Sequence, residues 1–417
     1  MNQRVRNRTL TDRDVLGCPR CDLVSRIGDI QLGQKAQCPR CGYNLLSRME
    51  YRGDKLLAYA TTAILFLIFS LSLEFIQYDG SGLKQSMTLL DAAWQLSFFH
   101  EKLLAVIVLL TVILFPLLYL FSITIVLAAK RSHNLPAARY FLRLTSHIKP
   151  WLMVDVFLLG TLISLIKISG LANVQLAPGF WLFCGFVAFL FLTYHLVNNM
   201  DLWSVIGKPQ RSVVNVEAGR TAYDQGLKVC DVCHQLVPID QSECQYCGDD
   251  INRHWWRSSQ VTLALVFAAT ILLVPAHWLP IMETVRFGDD QPSTIIGGVI
   301  ELWQSDDRPI AVIVFIASLV IPVAKILALL GLLALARWQT PQTVNHRLML
   351  FKVTDWIGRW SMIDIFVVAI LVALVRSGTV MSVYPGTAAI AFGAAVVLTM
   401  LAAMSFDTRL FWREAKQ

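Results

Sequence analysis

The chain has 417 residues, of which 55% are hydrophobic and 16% are charged, and its net charge is +7. Soluble domains carry about 25% charged residues, so this composition excludes an ordinary soluble protein. Apolar runs near twenty residues long match the helix length that crosses about 30 Å of hydrocarbon. The sequence therefore predicts a polytopic membrane protein. The polar amino-terminal segment has no apolar core followed by a cleavage site, so a cleaved signal peptide is not expected.

Two groups of four cysteines each precede a hydrophobic block. Eight of the nine cysteines form CxxC pairs, namely Cys18, Cys21, Cys38 and Cys41 in the first quartet and Cys230, Cys233, Cys244 and Cys247 in the second. Two CxxC pairs offer four thiolates, which is the tetrahedral ligand set of a zinc ribbon. We predict two structural Zn²⁺ ions, because cysteine fills every ligand position and leaves none open for catalysis. Iron in a rubredoxin-like site is the closest alternative, since its ligand set is the same.

The second quartet also contains Cys230-Asp-Val-Cys233-His234, which matches the attachment pattern of c-type haem. A second CxxC pair follows at ribbon spacing, and this favours the metal ribbon over haem. Disulfides are the other alternative, but they are rare in the reducing cytoplasm, where the charge pattern described next places both quartets.

Eight membrane spans are predicted along the chain. Their approximate bounds are 56–76, 103–129, 151–170, 179–198, 261–282, 310–336, 361–380 and 386–404. Eleven lysines and arginines precede the first span and six lie in 199–260, whereas each opposite loop holds at most two. Because excess Lys and Arg marks the cytoplasmic side, both termini and both quartets are predicted to face the cytoplasm. This bias accounts for the positive charge, so no nucleic-acid partner is expected.

The two halves of the chain repeat one another. Trp151-Leu-Met-Val-Asp155-Val-Phe matches Trp360-Ser-Met-Ile-Asp364-Ile-Phe at an offset of 209, and Pro178-Gly179 matches Pro385-Gly386 with a small gap. The sequence predicts an all-α membrane protein with two tandem parallel repeats, each a zinc ribbon followed by a four-helix transmembrane bundle. The expected domains are an amino-terminal ribbon, a first membrane domain, a linker with the second ribbon, and a second membrane domain, at 1–52, 53–204, 205–257 and 258–417.

The outward loops 77–102 and 283–309 each end in a stretch with a helical pattern, Thr88–Gln95 and Ile295–Gln304. We expect each of these helices to lie along the outer surface or to cover a cavity.

A buried charge distinguishes the second repeat from the first. Lys325 lies well inside the sixth span, three residues after Pro322, where the first repeat has Tyr119. Charged residues within the hydrocarbon are costly and usually functional. We expect Lys325 to pair with Asp364 and Thr399 to complete a polar cluster, either as a proton- or substrate-coupled site or as a static ion pair that fixes helix packing. Asp155, the counterpart of Asp364, has no buried lysine partner and is expected at an interface or a helix cap.

The duplicated unit, the Cys38-Pro-Arg-Cys41 knuckle and the paired Trp-x-Met-[Val/Ile]-Asp motifs resemble the paraquat-inducible protein A family of bacterial inner-membrane proteins. The resemblance covers nearly the whole chain, and its most specific stretch is 355–364. It implies membrane halves similar to the tetraspan folds of claudins and tetraspanins. It also implies a periplasmic partner of the mammalian cell entry (MCE) class, with which phospholipids or other hydrophobic molecules move between inner and outer membranes.

The sequence contains no GxxxxGK[ST] motif, so an ATPase is not expected and the chain is interpreted as a non-enzymatic transport component. Two alternatives remain open. One is a membrane redox protein with iron in the ribbons and a quinone between helices, and the other is a redox-stress sensor whose ribbons respond to oxidants.

Overall fold

The computed structural model is mainly helical, and the same order of elements occurs in it twice. The residues that it describes are 15–28, 31, 34–47, 52–80, 83–91, 102–132, 135–169, 173–197, 202–203, 216–251, 255–286, 289–304, 308–337, 349–351, 353–354, 358, 360, 362–375 and 381–412. We call residues 15–47 the N-ribbon, 52–203 the first half, 216–226 the linker, 227–251 the C-ribbon and 255–412 the second half.

The N-ribbon consists of two antiparallel hairpins. Strands β1 (Val15–Gly17) and β2 (Val24–Arg26) form the first, and β3 (Lys35–Gln37) and β4 (Asn44–Ser47) form the second. Each hairpin carries one CxxC pair at its turn. The short strands give the ribbon only a small core, so bound metal would be its main source of stability.

The first half contains helices and one three-stranded sheet. Its helices are α1 (Arg52–Ser72), α2 (Lys102–Val108), α3 (Phe115–Ser132), α4 (Leu135–Ile148), α5 (Val154–Ser169) and α6 (Pro178–Leu196). Its strands are β5 (Ile76–Gly80), β6 (Leu83–Met87) and β7 (Asn173–Leu176), with β5 in the middle. The sheet therefore joins the end of α1 to the start of α6.

The second half repeats this order after the C-ribbon. The C-ribbon contains the hairpin β8 (Leu227–Val229) and β9 (Leu236–Pro238), and the second-half helices are α7 (Trp255–Trp278), α8 (Ile295–Gln304), α9 (Arg308–Phe315), α10 (Ile321–Arg337), α11 (Ile363–Val375) and α12 (Thr387–Ser405). Its sheet has β10 (Met282–Arg286) between β11 (Asp289–Ser293) and β12 (Met381–Pro385). The predicted helix at Ile295–Gln304 is confirmed, whereas most of its counterpart at Thr88–Gln95 lies outside the described residues.

These sheets correct the expectation of an all-α fold. Strands five residues long, such as Ile76–Gly80, carry polar side chains between apolar ones and give only a weak sequence signal. The last strand of each sheet pairs with a hairpin far away in the chain, and such pairing is decided by tertiary contacts rather than by local sequence.

Seven stretches among the described residues are long and apolar enough to cross a membrane. They are Gly53–Ser72, Ala105–Ala128, Ala138–Leu165, Pro178–Leu196, Ser258–Trp278, Ala311–Ala336 and Thr387–Ser405. The predicted span 361–380 overlaps α11, whose 13 described residues are too few to qualify. The third stretch joins α4 and α5 across a 3-10 turn at Lys149–Trp151, where Pro150 interrupts regular helix.

The repeated Pro-Gly pair has a steric reason. The Gly179 N–H donates to the Glu74 carbonyl oxygen at 2.8 Å, and the Gly386 N–H donates to Ile281 O at 2.9 Å. In both halves the glycine lets the start of the last helix touch the backbone that follows the first helix. A side chain at either position would collide with that backbone.

The two halves pack together through α5 and α11, which the repeat relates. The Phe157 and Phe366 rings meet edge to face at 5.5 Å, and Ser164 Oγ donates to the Val367 carbonyl oxygen at 3.3 Å. Gly160 lies at the closest approach, since a β-carbon there would be 3.1 Å from Phe366 Cβ. Small residues permit such close helix contact inside membranes.

Candidate metal centres and polar membrane residues

All four CxxC turns have the same backbone geometry. In the N-ribbon, the Cys18 N–H donates to Leu23 O at 3.0 Å and the Cys38 N–H donates to Tyr43 O at 2.8 Å. In the C-ribbon, Cys230 and Cys244 donate in the same way to Gln235 O and Asp249 O, both at 2.9 Å. The first cysteine of each pair is thus bonded to the residue five positions later, and this closes a tight turn that presents two sulfurs on one side.

The residue after each second cysteine has left-handed backbone. These residues are Asp22, Gly42, His234 and Gly248, with φ of 59°, 69°, 60° and 70°. Glycine adopts this conformation without cost, and Asp and His are among the residues that tolerate it. The first CxxC turn of each ribbon therefore keeps a side chain, Asp22 or His234, at a position that would suit glycine.

Each quartet is gathered into one buried cluster. The sulfurs of each group lie within 4.8 Å of one another, with Cys18 Sγ 3.4 Å from Cys41 Sγ and Cys233 Sγ 3.5 Å from Cys244 Sγ. Four sulfurs at about 2.3 Å from one ion match these separations. Both quartets are therefore able to hold a metal ion. A Zn²⁺ bound there would link the two turns of its ribbon, and cysteine would fill all four positions around it.

The surroundings favour thiolate at Cys41 in the first quartet and at Cys230 and Cys244 in the second, where hydrogen bonding from Cys233 lowers the pKa of Cys230. Hydrogen bonds from Cys18 and Cys21 lower the pKa of Cys41 to about 2, and those from Cys230 and Cys233 lower the pKa of Cys244. Thiolate is the form that binds metal. His234 directly follows Cys233, between the two CxxC pairs of the second quartet, and burial lowers its pKa to about 4, so its imidazole is neutral at physiological pH.

The second hairpin of the C-ribbon is shorter than that of the N-ribbon. A single bridge between Glu243 and Asp250 stands where the N-ribbon has the hairpin β3–β4. Arg143 of α4 holds the second CxxC turn of this ribbon. Its guanidinium donates to the Cys247 carbonyl oxygen and lies 3.9 Å from Asp249 Oδ1. Sequence analysis did not anticipate this contact, since an arginine on an amphipathic helix does not reveal its target.

Lys325 is buried, as predicted, with 2% of its surface exposed. Its Nζ lies 3.5 Å from the Gly358 carbonyl oxygen, and a β-carbon on Gly358 would be 3.3 Å from Nζ. Gly358 therefore leaves room for the ammonium group. Asp364 lies in α11, but its side chain is outside the described residues, so the expected pair with Lys325 stays a prediction.

Thr399 and Asp155 have different surroundings. Thr399 is buried in α12 and donates to Val396 O within its own helix at 2.8 Å. Asp155 is exposed in the first turn of α5, where a carboxylate interacts favourably with the helix dipole.

In each half a π-helical turn precedes a proline, Pro116 in the first and Pro322 in the second, and sequence analysis did not anticipate it. The turns are Leu109–Leu114 and Ile316–Val320, directly before α3 and α10. Proline has no N–H for the helical ladder, and π turns occur often at functional sites. Tyr119 and Lys325 follow these turns at matching positions and are both buried. Among the described residues, Tyr119 Oη has no hydrogen-bond partner.

The fold and the two cysteine clusters define the class: a multi-pass membrane protein whose helical halves repeat and whose ribbons can each bind a metal ion. The chain belongs to the paraquat-inducible protein A family, PqiA, whose family model matches residues 54–207 and 259–416.

Named relatives match nearly the full length. Intermembrane transport protein PqiA of Escherichia coli (strain K12) is 34% identical over 397 residues, which cover 95% of this chain and 94% of the relative. Lipophilic envelope-spanning tunnel protein A of the same strain is 30% identical, covering 96% and 91%. A probable intermembrane transport protein of Haemophilus influenzae is 27% identical, covering 96% of both chains. No solved structure matches the chain significantly.

Proposed function

We propose that this protein is a non-enzymatic inner-membrane component of a lipid-transport system. It transfers phospholipid or another hydrophobic molecule between the inner and outer membranes, together with a periplasmic MCE-class protein that forms a tunnel. The names of its relatives, which refer to intermembrane transport and to an envelope-spanning tunnel, support this proposal. Both termini and both ribbons face the cytoplasm in this proposal, in agreement with the Lys/Arg bias.

The observation that carries the proposal is the burial of Lys325 in a membrane helix of one half only. An ammonium group in hydrocarbon is costly, yet Lys325 is almost fully enclosed and lies beside Gly358 O. A residue needed only for packing would be apolar, as most of its neighbours on α10 are. We assign Lys325 and Asp364 to one polar site that responds to substrate or protons, with Thr399 as a further member.

The first experiment compares two site variants with a matched control. Lys325→Ala and Asp364→Ala should abolish protection in a membrane-integrity assay, such as growth with detergent and chelator, at normal expression. Tyr119→Phe is the control, because Tyr119 occupies the equivalent position in the first half and the change removes only a hydroxyl. If both site variants protect the envelope as well as the wild type does, the assignment of Lys325 and Asp364 to a transport site is wrong.

The static ion pair is a separate alternative and needs a stability measurement. Breaking a buried pair by removing one partner costs about 3–5 kcal/mol, whereas replacing both with apolar or neutral groups is often harmless. If Lys325→Met with Asp364→Asn restores both stability and envelope protection, the pair serves packing alone. Restored stability without protection supports the transport site.

The partner and the lipid are tested together by co-purification. The tagged full chain, extracted in mild detergent, should bring down an MCE-domain protein and a defined lipid class. Recovery of neither from cross-linked membranes would contradict the proposal.

The ribbons are assigned two structural zinc ions. The same four sulfurs also suit iron, which is the basis of the redox and sensor alternatives. Elemental analysis of the purified protein should give two zinc ions per chain and no visible absorption. Iron with a thiolate charge-transfer band would favour redox work instead.

A further inference from the structure

We infer that the two ribbons and the carboxyl-terminal segment form one metal-stabilised clamp that ties the two membrane halves together crosswise. The N-ribbon precedes the first half but packs on the second, and the C-ribbon precedes the second half but packs on the first. Each ribbon thus packs on the half that it does not directly precede in the chain. This inference concerns the ribbons and does not rest on lipid transport.

The N-ribbon shares an apolar core with the second half. Its four cysteines and Leu45 form one buried cluster with Leu332 in the last turns of α10 and with Phe406 directly after α12. The Phe406 ring stacks on Phe351 at 5.7 Å. Beside this cluster, Thr408 Oγ1 donates to Arg20 O, between the first two cysteines, at 2.9 Å.

The C-ribbon is held by polar contacts with the first half. Arg143 of α4 reaches the carbonyl oxygen of Cys247, which is itself a member of the second quartet. Tyr246 Oη donates to Trp203 O at 2.9 Å, and the two rings lie 5.7 Å apart. These contacts are made to backbone and side chains of the CxxC turn, so they depend on the shape that metal binding imposes.

The two ribbons also bind each other. Val24 exchanges backbone hydrogen bonds with the linker, donating to Arg220 O at 2.9 Å and accepting from the Gly219 N–H at 2.8 Å. Val24, Ala222 and Val229 are buried together in a small apolar cluster. The linker is therefore bonded to the edge of the N-ribbon, with a single β-bridge between Leu23 and Thr221, and it carries the C-ribbon with it.

Among the residues that the structure describes, the two non-glycine ones with left-handed backbone lie at this junction. Asp22 Oδ2 accepts from the Tyr223 N–H at 2.9 Å, and the His234 ring meets the Tyr43 ring edge to face at 6.2 Å. Glycine would hold either turn at lower conformational cost. Asp22 and His234 keep their side chains at the junction of the two ribbons, so we assign these side chains to the contact between the ribbons.

The carboxyl-terminal segment fastens both ribbons at once. Next to Thr408, which bonds to the N-ribbon, Arg409 Nη1 donates to Val229 O at 3.0 Å and pairs with Asp231 of the C-ribbon. Two adjacent residues of the second half thus contact both metal modules. Loosening one ribbon would remove support from the other.

Hydrogen exchange of the full chain in detergent, together with zinc analysis, tests the clamp. Asp22→Gly keeps the turn but removes the acceptor of the Tyr223 N–H. A hydrogen bond to a charged group contributes about 1.5–3 kcal/mol, so exchange at Tyr223 should accelerate about tenfold to a hundredfold with the zinc content unchanged. Glu217→Ala is the matched control, because Glu217 lies on the same linker and its exposed carboxylate pairs with exposed Arg220.

A second variant tests transmission between the modules. Cys38→Ser removes a ligand from the second CxxC turn of the N-ribbon, whereas Val24, which bonds to the linker, lies in the first hairpin. Exchange should then rise in residues 216–226 and in Thr408–Trp412. Faster exchange confined to residues 15–47 would overturn the inference. Unchanged Tyr223 exchange in Asp22→Gly, or loss of zinc from that variant, would overturn it as well.

Discussion

Replacement of Gly179 by alanine should strongly destabilise the first half, although it adds one methyl group. The β-carbon would lie 2.5 Å from Glu74 O and 2.9 Å from Leu73 O, whereas ordinary contact begins at 3.4 Å. Both obstacles are backbone atoms that cannot rotate away, so α6 would have to shift by roughly 0.9 Å, which is overpacking. The shift would also lengthen and weaken the hydrogen bond from the Gly179 N–H to Glu74 O, which is 2.8 Å long in the structure.

The magnitude follows from these two effects. Overpacking costs about 1–3 kcal/mol, and a buried hydrogen bond left unmade costs about 1–3 kcal/mol. Together they predict a loss of about 2–6 kcal/mol. Gly386→Ala should behave alike, since its β-carbon would overlap the Pro280 carbonyl group in the second half.

The assay is thermal unfolding of the detergent-solubilised chain, followed by size-exclusion chromatography of a fluorescent fusion. Gly331→Ala is the control, because Gly331 lies within α10 and has open space where the methyl group would go. Alanine favours a helix over glycine by about 0.5–1 kcal/mol, so this variant should melt at or slightly above the wild-type temperature. Wild-type melting of Gly179→Ala would refute the steric account of the repeated Pro-Gly pair.

Three further predictions concern the halves and the ribbons. Phe366→Ala should cost about 3–5 kcal/mol, because it empties the contact with Phe157; equal melting of variant and wild type would contradict this interface. Cys244→Ser should lower the zinc content from two ions per chain to one, and retention of both ions in elemental analysis would remove it from the ligand set. Arg143→Gln should leave zinc bound but speed trypsin cleavage in the C-ribbon, since the Cys247 carbonyl loses its donor; unchanged cleavage would count against that role.

Much of the architecture could be predicted from local sequence. Apolar runs of membrane length identify helices, because a helix satisfies its backbone hydrogen bonds within one segment in hydrocarbon, whereas a single strand does not. The spacing of the CxxC pairs anticipated the two clusters, since each turn is closed by bonds within six residues, as from Cys18 to Leu23. Lys325 could be singled out because a charge stands out in an apolar span.

Features that depend on distant segments could not be predicted. The sheet in each half pairs strands that lie almost a hundred residues apart, such as β5 and β7. The π turns before Pro116 and Pro322 are small adjustments of helices whose sequence remains uniformly apolar. The crossed arrangement of the ribbons is of the same kind, because nothing near Cys247 indicates that Arg143 will meet it.

The sequence by itself determined that this is a duplicated membrane protein with two four-cysteine modules and one buried lysine. Those properties follow from composition, periodicity and ligand spacing, which act over short stretches of chain. Only the tertiary structure decided which half each module supports, how Gly179 and Gly386 join first and last helices, and where α5 meets α11. Such contacts are selected by shape and by hydrogen-bonding partners brought together from distant parts of the chain, and no local pattern encodes them.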